Sequence, residues 1–189
     1  MDAREYAFED RLLMSAGHAE SFDVQTVLLK TIPGALSAKQ AATENDRIGV
    51  DWWVEMIGGR HIAIDAKVRQ QDWAATHPGE DDLALETWSV VESRVVGWTR
   101  DTAKRCDYVL WLWADTGRYC LLPFPMLCRV FIDNWQHWSV EHKVRRQRTT
   151  GRGLTYHSEC VFVPRRDIWA AIYSTFAGSS AVHSFASQE

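Results

Sequence analysis

The sequence predicts a mixed α/β fold in which a central β-sheet is flanked by helices. Short runs of alternating apolar and polar residues, stretches with apolar residues every three to four positions, and Gly or Pro turn signals between them predict this fold. The chain has 189 residues, of which ten are tryptophan and 46% are hydrophobic. This length and composition indicate one domain over residues 1–189 with a substantial core. Within it, the polar tail after about residue 178 is expected to be flexible.

Helical signals come first along the chain. Asp2 and Glu5 have the spacing of a capping box, and apolar residues follow at helical intervals up to Ala16, which predicts a first helix. A second helix is predicted over residues 23–32, because a Pro-Gly pair follows it. Residues 35–45 are polar and indicate a connection toward the first strand.

Two alternating runs, residues 48–57 and 61–68, flank a Gly-Gly pair and predict a β-hairpin. Alternate residues of a strand share a face. Asp51 therefore lies on the polar face of the first run, and Asp65 and Lys67 lie together on the polar face of the second. Two carboxylates and an ammonium group can converge on one patch.

The length of the hairpin turn decides whether Asp51 joins Asp65 and Lys67. A two-residue turn through the Gly-Gly pair would place Asp51 opposite Ala66 and send it to the other face. We therefore expect a connection of odd length, such as residues 58–60, or a β-bulge, since glycine accepts the positive φ that both require.

The other elements follow from the same signals. Together they predict a single α/β layer structure with no linker or internal repeat. They are a loop over 69–82, a third strand over 83–91, a short helical segment over 100–105, strands over 108–113 and 119–122 joined by a turn, a helix over 124–138, a strand ending at 161–163, and a C-terminal helix from Pro164 to about 176.

The patch formed by Asp51, Asp65 and Lys67 suits the hydrolysis of a phosphodiester. This anionic group repels nucleophiles, so its hydrolysis needs a cation on the phosphoryl oxygens, an activated water and a positive group near the developing charge. The two aspartates would supply oxygen ligands for a hard divalent cation, Mg²⁺ or Mn²⁺, and Lys67 would orient water or stabilise the charge.

The same residues resemble the motif of the PD-(D/E)xK nuclease superfamily, in which an aspartate on one strand is followed by an acidic-x-lysine triplet on the next. Val50 stands where the superfamily has proline, which carries no chemistry. The resemblance implies a restriction-endonuclease-like or resolvase-like core with the order helix, three strands, helix, strand. It also implies Mg²⁺-dependent cleavage of DNA by an endonuclease, of a type found in phages and mobile elements.

The superfamily also places a glutamate on the helix that precedes these strands. The best match is Glu9, and Glu5, one turn earlier, is a rival for the same role. Glu86 is the second candidate for an additional metal ligand, because it lies on the predicted third strand, which the superfamily places beside the strand with the acidic-x-lysine triplet. Its side chain shares a face with Trp88, where a glutamate without a partner would be costly to bury.

A cluster of basic residues, here called the basic segment, is the candidate DNA-binding region. The net charge of the chain is −4, so DNA contact would depend on such a local concentration of cations. The alternative is a charged loop that only contacts solvent. The basic segment consists of Lys143, Arg145, Arg146, Arg148 and Arg152.

Other features limit the functional classes. The sequence has neither a long apolar stretch nor the pattern of a signal peptide at residues 1–5, which predicts a cytoplasmic protein without membrane contact. The four cysteines lack paired spacing and are expected to be reduced core residues. Some tryptophans could form an oligomer face, so a homodimer stays open.

Two alternatives to an enzyme remain. One is a catalytically inactive module on the nuclease fold that binds nucleic acid or a protein partner, since a fold does not fix a function. The other is an inhibitor that mimics DNA, although the acidic residues are dispersed along the chain rather than gathered on one face.

Overall fold

The computed structural model describes residues 6–7, 23–77, 79–151 and 154–177. Within these ranges the chain forms two five-stranded sheets and four α-helices, which confirms the α/β class. Among the same residues, no helix is long and apolar enough to cross a membrane.

The elements are β1 (Tyr6–Ala7), α1 (Val24–Thr31), β2 (Ala35–Gln40), β3 (Trp52–Met56), β4 (His61–Arg69), α2 (Trp73–Thr76), β5 (Asp82–Val90), β6 (Val95–Val96), β7 (Tyr108–Trp113), β8 (Tyr119–Pro123), α3 (Phe124–Glu141), β9 (Lys143–Gly151), β10 (Leu154–Pro164) and α4 (Arg165–Ala177). Two 3-10 turns, Thr43–Ile48 and Trp98–Arg100, precede β3 and β7.

The first sheet, here called the hairpin sheet, has the order β2-β3-β4-β7-β8. Only β4 and β7 pair in parallel, and the other neighbours are antiparallel. On one face α1 buries Val24 and Leu28 against Val54, Ile64 and other apolar residues of the sheet. The Asp23 side chain caps this helix by accepting a hydrogen bond from Thr26 N at 2.9 Å, which satisfies a donor at the helix start.

The opposite face of the hairpin sheet belongs to the main core. Val109 and Trp111 of β7 are buried there together with Phe131 of α3 and Ile168 of α4. Apolar cover on both faces explains why nearly every residue of β7 is apolar, as in other buried strands. Polar groups on this face must therefore find partners or lie at its margin.

The second sheet, here called the basic sheet, has the order β1-β9-β10-β5-β6. Its central strands β5 and β10 pair antiparallel and send Leu85 and Val161 into the main core. The described residues between β4 and β7 form α2, β5, β6 and one 3-10 turn, so the chain builds part of the basic sheet before it returns to β7.

The hairpin register confirms the expected odd-length connection. Trp52 pairs with Ile64, and Met56 N donates to Arg60 O at 2.9 Å, so three residues, 57–59, join the strands. The connection begins one residue earlier than the expected residues 58–60 and has the same odd number of residues. Gly58 and Gly59 have φ of 95° and 80°, which favours glycine at both positions.

Several predicted elements are wrong in part. Residues 35–40 form β2 instead of a polar connection. Only Ala38 is buried there, so this edge strand has little apolar signal. Tyr6 and Ala7 pair in parallel with Thr149 and Thr150, which contradicts a helix at these two residues. The remainder of the predicted first helix lies outside the described residues.

The third predicted strand is correct as a strand and wrong in its placement. It forms β5 of the basic sheet, whereas the strand beside β4 is β7. Residues 101–106 are not helical, because the 3-10 turn Trp98–Arg100 ends at Asp101. The predicted loop over 69–82 contains the short helix α2. The four cysteines are free, and three are buried, as expected.

Candidate active site

Asp51 and Asp65 meet at the end of the β3–β4 hairpin. The paired register ends at Trp52 and Ile64, and Asp51 is the residue just before β3, with its carboxyl group hydrogen-bonded to that of Asp65. Asp51 N donates to Ile64 O at 2.9 Å, and Ala66 N donates to Asp51 Oδ2 at 2.8 Å. These two hydrogen bonds fix the aspartate against β4. Asp65 is only 4% exposed, so its carboxylate is almost removed from solvent.

Lys67 is the cation of the site. It follows Asp65 by two residues on the same face of β4, and its Nζ lies 2.5 Å from Asp65 Oδ1. The ammonium also lies 4.8 Å from the centre of the Trp98 ring, within the range of a cation–π contact. Carboxylate and indole together hold Lys67 beside the aspartates.

Trp98 is a site residue that the sequence analysis missed. Its ring packs against those of Trp111 and Phe124, with ring centres 5.9 and 6.3 Å away. A Cβ at the preceding Gly97 would lie 2.3 Å from Glu86 O, so only glycine lets the chain pass this close to β5. One tryptophan among ten, with no motif around it, gave no signal for this role.

Burial and charge shift the pKa values in the site. Burial raises the pKa of Asp51 to about 6, with further contributions from the Asp65 charge and a side-chain hydrogen bond to Asp65, against the opposing effects of Lys67 and Ala66 N. For Lys67, burial lowers the pKa, but the charges of Asp65 and Asp51 outweigh it and the net shift is upward. At neutral pH the site therefore combines a charged lysine with an Asp51 close to its titration point.

The donor set fits a hard divalent cation. Apart from Lys67, Asp65 Oδ1 has no hydrogen-bond donor within the described ranges, and a cation would offset both the burial and the Asp65 charge that raise the pKa of Asp51. Asp51 and Asp65 would hold the ion. Mg²⁺ is commonly bound by one or two carboxylates while water and phosphate oxygens complete its shell. In the described part of the chain no group of three or more His, Cys, Asp or Glu side chains could hold a metal.

The other candidate ligands do not join this pair. Glu9 and its rival Glu5 lie outside the described residues. Glu86 is not brought to the aspartates, because its Oε2 accepts hydrogen bonds from Ser89 Oγ at 2.7 Å and from Trp98 N at 3.0 Å. Glu86 therefore positions Trp98, and among the described residues it forms no metal-binding group with the two aspartates. The reason is its place in the basic sheet.

The basic segment is a strand, β9, rather than a loop. Side chains alternate along a strand, so Lys143 and Arg145 lie on one face and Arg146 and Arg148 on the other. Arg145 Cζ lies 5.3 Å from the centre of the Phe162 ring, whereas Arg146 Nε forms an ion pair with Glu159 at 2.8 Å. Arg152 lies outside the described residues. The segment does not form one continuous basic face.

Replacing Asp51 by asparagine is expected to stabilise the metal-free protein at neutral pH. In the folded state the pKa of Asp51 is about 6, against ~3.9 for an unfolded aspartate. The folded state thus binds more protons between these values, and wild-type stability falls as pH rises from ~4 to ~6 and stays reduced above. We expect D51N to gain about 1–2 kcal/mol at pH 7.5 and nothing near pH 4.

Urea unfolding in the presence of a chelator, at several pH values, measures this difference. Asp133→Asn is the control, because Asp133 is an exposed carboxylate on α3 that forms a surface ion pair with Arg129 four residues away. A D51N protein that is less stable than wild type at pH 7.5 would contradict the expectation that the charge of Asp51 destabilises the folded state.

Compared with known proteins, the chain matches no family model, no curated protein and no solved structure. The function of the site is therefore inferred from its own geometry.

Proposed function

We propose that this protein is a metal-dependent nuclease that hydrolyses phosphodiester bonds in DNA, with Asp51 and Asp65 as ligands of Mg²⁺ or Mn²⁺ and Lys67 as the catalytic cation. One observation carries this proposal: the Asp51 carboxylate is held against β4 by Ala66 N and lies beside the Asp65 carboxylate, and Lys67 Nζ lies 2.5 Å from Asp65 Oδ1. Two carboxylates and an ammonium group at this spacing are the groups that phosphodiester hydrolysis needs.

The hairpin sheet also supports a restriction-endonuclease-like core. Three antiparallel strands, β2, β3 and β4, are followed in the sheet by β7, which runs parallel to β4. α1 precedes them and covers one face. The segment between β4 and β7 differs from the helix that the resemblance implies, because it contains β5 and β6 of the basic sheet.

Each residue of the site has a separate part in the reaction. A bound cation would neutralise the phosphoryl oxygens and lower the pKa of a bound water. Asp51 can serve as a ligand only when it is ionised, so cation affinity should increase as pH rises through about 6. Lys67 keeps its proton at neutral pH and can donate a hydrogen bond to a phosphate oxygen as charge develops.

The direct test is incubation of the purified protein with linear, circular, single-stranded and branched DNA in Mg²⁺, Mn²⁺ or chelator. The proposal requires cleavage in either metal and none in chelator. The second candidate is an inactive nuclease-fold module, and it is favoured by one observation: only two carboxylates meet at the site within the described ranges. Binding of DNA or a protein partner without cleavage in any metal would favour that candidate.

Of the basic segment, Arg145 is expected to contribute to DNA affinity and Arg146 is not. Both lie on β9, but the guanidinium of Arg146 forms an ion pair with Glu159 at 2.8 Å, whereas that of Arg145 packs on the Phe162 ring. Loss of one phosphate contact should weaken binding and reduce the slope of log affinity against log salt by about 0.9.

Fluorescence anisotropy with duplex DNA at several salt concentrations measures these slopes for Arg145→Ala and Arg146→Ala. Arg146→Ala is the matched control for Arg145→Ala, because each variant removes one arginine from β9. Equal slopes in both variants and wild type would mean that the basic segment does not contact DNA.

A further inference from the structure

A cavity lies beside the site, between the two sheets. It encloses about 280 Å³, and Arg69 and Trp111 of the hairpin sheet line it together with Asp82 and Phe162 of the basic sheet. Arg69 follows Lys67 by two residues on the same face of β4, a separation of roughly 6 to 7 Å along a strand. The cavity is therefore next to the reacting position in the proposed site.

Four of the nine residues that line the cavity are aromatic: Trp73, Trp111, Trp113 and Phe162. Trp73 is 51% exposed and stands at the rim, whereas Trp111 is 1% exposed. Aromatic side chains of this kind stack on nucleobases, since every base has a π face. The volume is near the lower limit of about 300 Å³ for small-molecule sites, which suits one base rather than a larger ligand.

Polar groups complete the lining. Gln70 and Gln71 are exposed at the end of β4, where their amides can both donate and accept hydrogen bonds.

The rim is held in place by an ion-pair network. Asp72 precedes Trp73, caps α2 by accepting from Ala74 N at 3.2 Å, and accepts from Arg118 Nε at 2.6 Å. Arg118 also binds Asp81 at 2.7 Å. On the side of the basic sheet, Arg145 packs over the ring of Phe162. The rim at Trp73 is thus tied through Asp72 to Arg118 and Asp81.

We infer that this cavity binds an unstacked nucleobase of the strand whose phosphate lies at Asp51, Asp65 and Lys67. The inference rests on the proposed function, because it takes the DNA strand to pass from Lys67 toward Arg69. A base can enter only when it is out of a duplex stack, so the cavity favours single-stranded, frayed or distorted DNA over regular duplex. The base is held by stacking on Trp73 and by hydrogen bonds from the amides.

The test compares ligands that differ only in the base. The four 2′-deoxynucleoside 5′-monophosphates and 2-deoxyribose 5-phosphate are titrated against the protein in chelator, and binding is followed by NMR shifts of the tryptophan indole N–H groups. We expect at least one nucleotide to bind at least about fivefold more tightly than the sugar phosphate, and Trp73→Ala to remove this difference. Tyr173→Ala, which removes a 68% exposed aromatic ring on α4, is the control and should keep it.

Equal affinity for nucleotides and sugar phosphate, or a base preference that survives both Trp73→Ala and Gln71→Ala, would overturn the inference. The two proposals fail separately. Metal-dependent cleavage without base-dependent binding would support the proposed nuclease function and contradict binding of a nucleobase in the cavity. Base-dependent binding without cleavage would support binding in the cavity and contradict the nuclease function.

Discussion

Replacing Asp65 by alanine is expected to abolish metal-dependent DNA cleavage, with a loss of at least about 10³-fold in kcat/KM. Asp65 is the most buried carboxylate of the pair, at 4% exposure, and its Oδ1 meets no donor but Lys67 within the described residues. Its removal takes away a ligand of the cation and the partner of Lys67 at the same time. Cleavage of a labelled oligonucleotide under single-turnover conditions measures the loss.

Asp65→Asn serves as a second variant, because it keeps the shape of the side chain and removes only the charge. The carboxylate control is Asp133→Ala, at an exposed position of α3. Urea unfolding of all three proteins separates a loss of chemistry from a loss of fold. Full activity in either Asp65 variant would end the assignment of this site.

Replacing Lys67 by methionine is expected to lower kcat by about 10²- to 10³-fold, the usual effect of losing one preorganised donor to a developing charge. Methionine keeps most of the volume of the side chain against Trp98 and removes the ammonium. The variant should still bind Mg²⁺, because Asp51 and Asp65 remain. Activity assays for kcat, together with the rise in melting temperature caused by Mg²⁺, separate the two effects.

A second readout follows from the charge of Lys67. That charge lowers the pKa of Asp51, so its loss should move the acid limb of the pH–rate profile to higher pH. Lys39→Met is the control, since Lys39 is an exposed lysine on the edge strand β2. An unchanged kcat in the Lys67 variant, or the same loss in the Lys39 variant, would contradict a catalytic role.

The local parts of the site could be predicted from the sequence because they depend on strand parity. Asp65 and Lys67 share a face of β4 because side chains alternate along a strand, and the odd-length turn leads Asp51, the residue before β3, to the same site. The helices α1, α3 and α4 also carry clear apolar periodicity and agree with the predicted spans within a few residues.

The parts that involve distant segments could not be predicted in this way. An alternating strand such as β5 does not specify which sheet it joins, so its assignment beside β4 was wrong, and the hydrogen bond from Trp98 N to Glu86 had no signal in the sequence. Trp98 reaches Lys67 through tertiary packing alone. The basic segment contains only one apolar residue, Val144, between Lys143 and Arg148, so its strand character and its division between two faces had little local signal.

The site depends on β7 as well as on the β3–β4 hairpin, because β7 pairs with β4 beside Asp65 and Lys67. A fragment that ended after β4 would retain Asp51, Asp65 and Lys67, but it would lack the strand that pairs Val109 with Asp65 and Trp111 with Lys67. Its carboxylates would then be exposed to water, and the burial that raises the pKa of Asp51 would be absent. Grafting the hairpin alone onto another scaffold would therefore transfer Asp51, Asp65 and Lys67 without the burial that raises the pKa of Asp51.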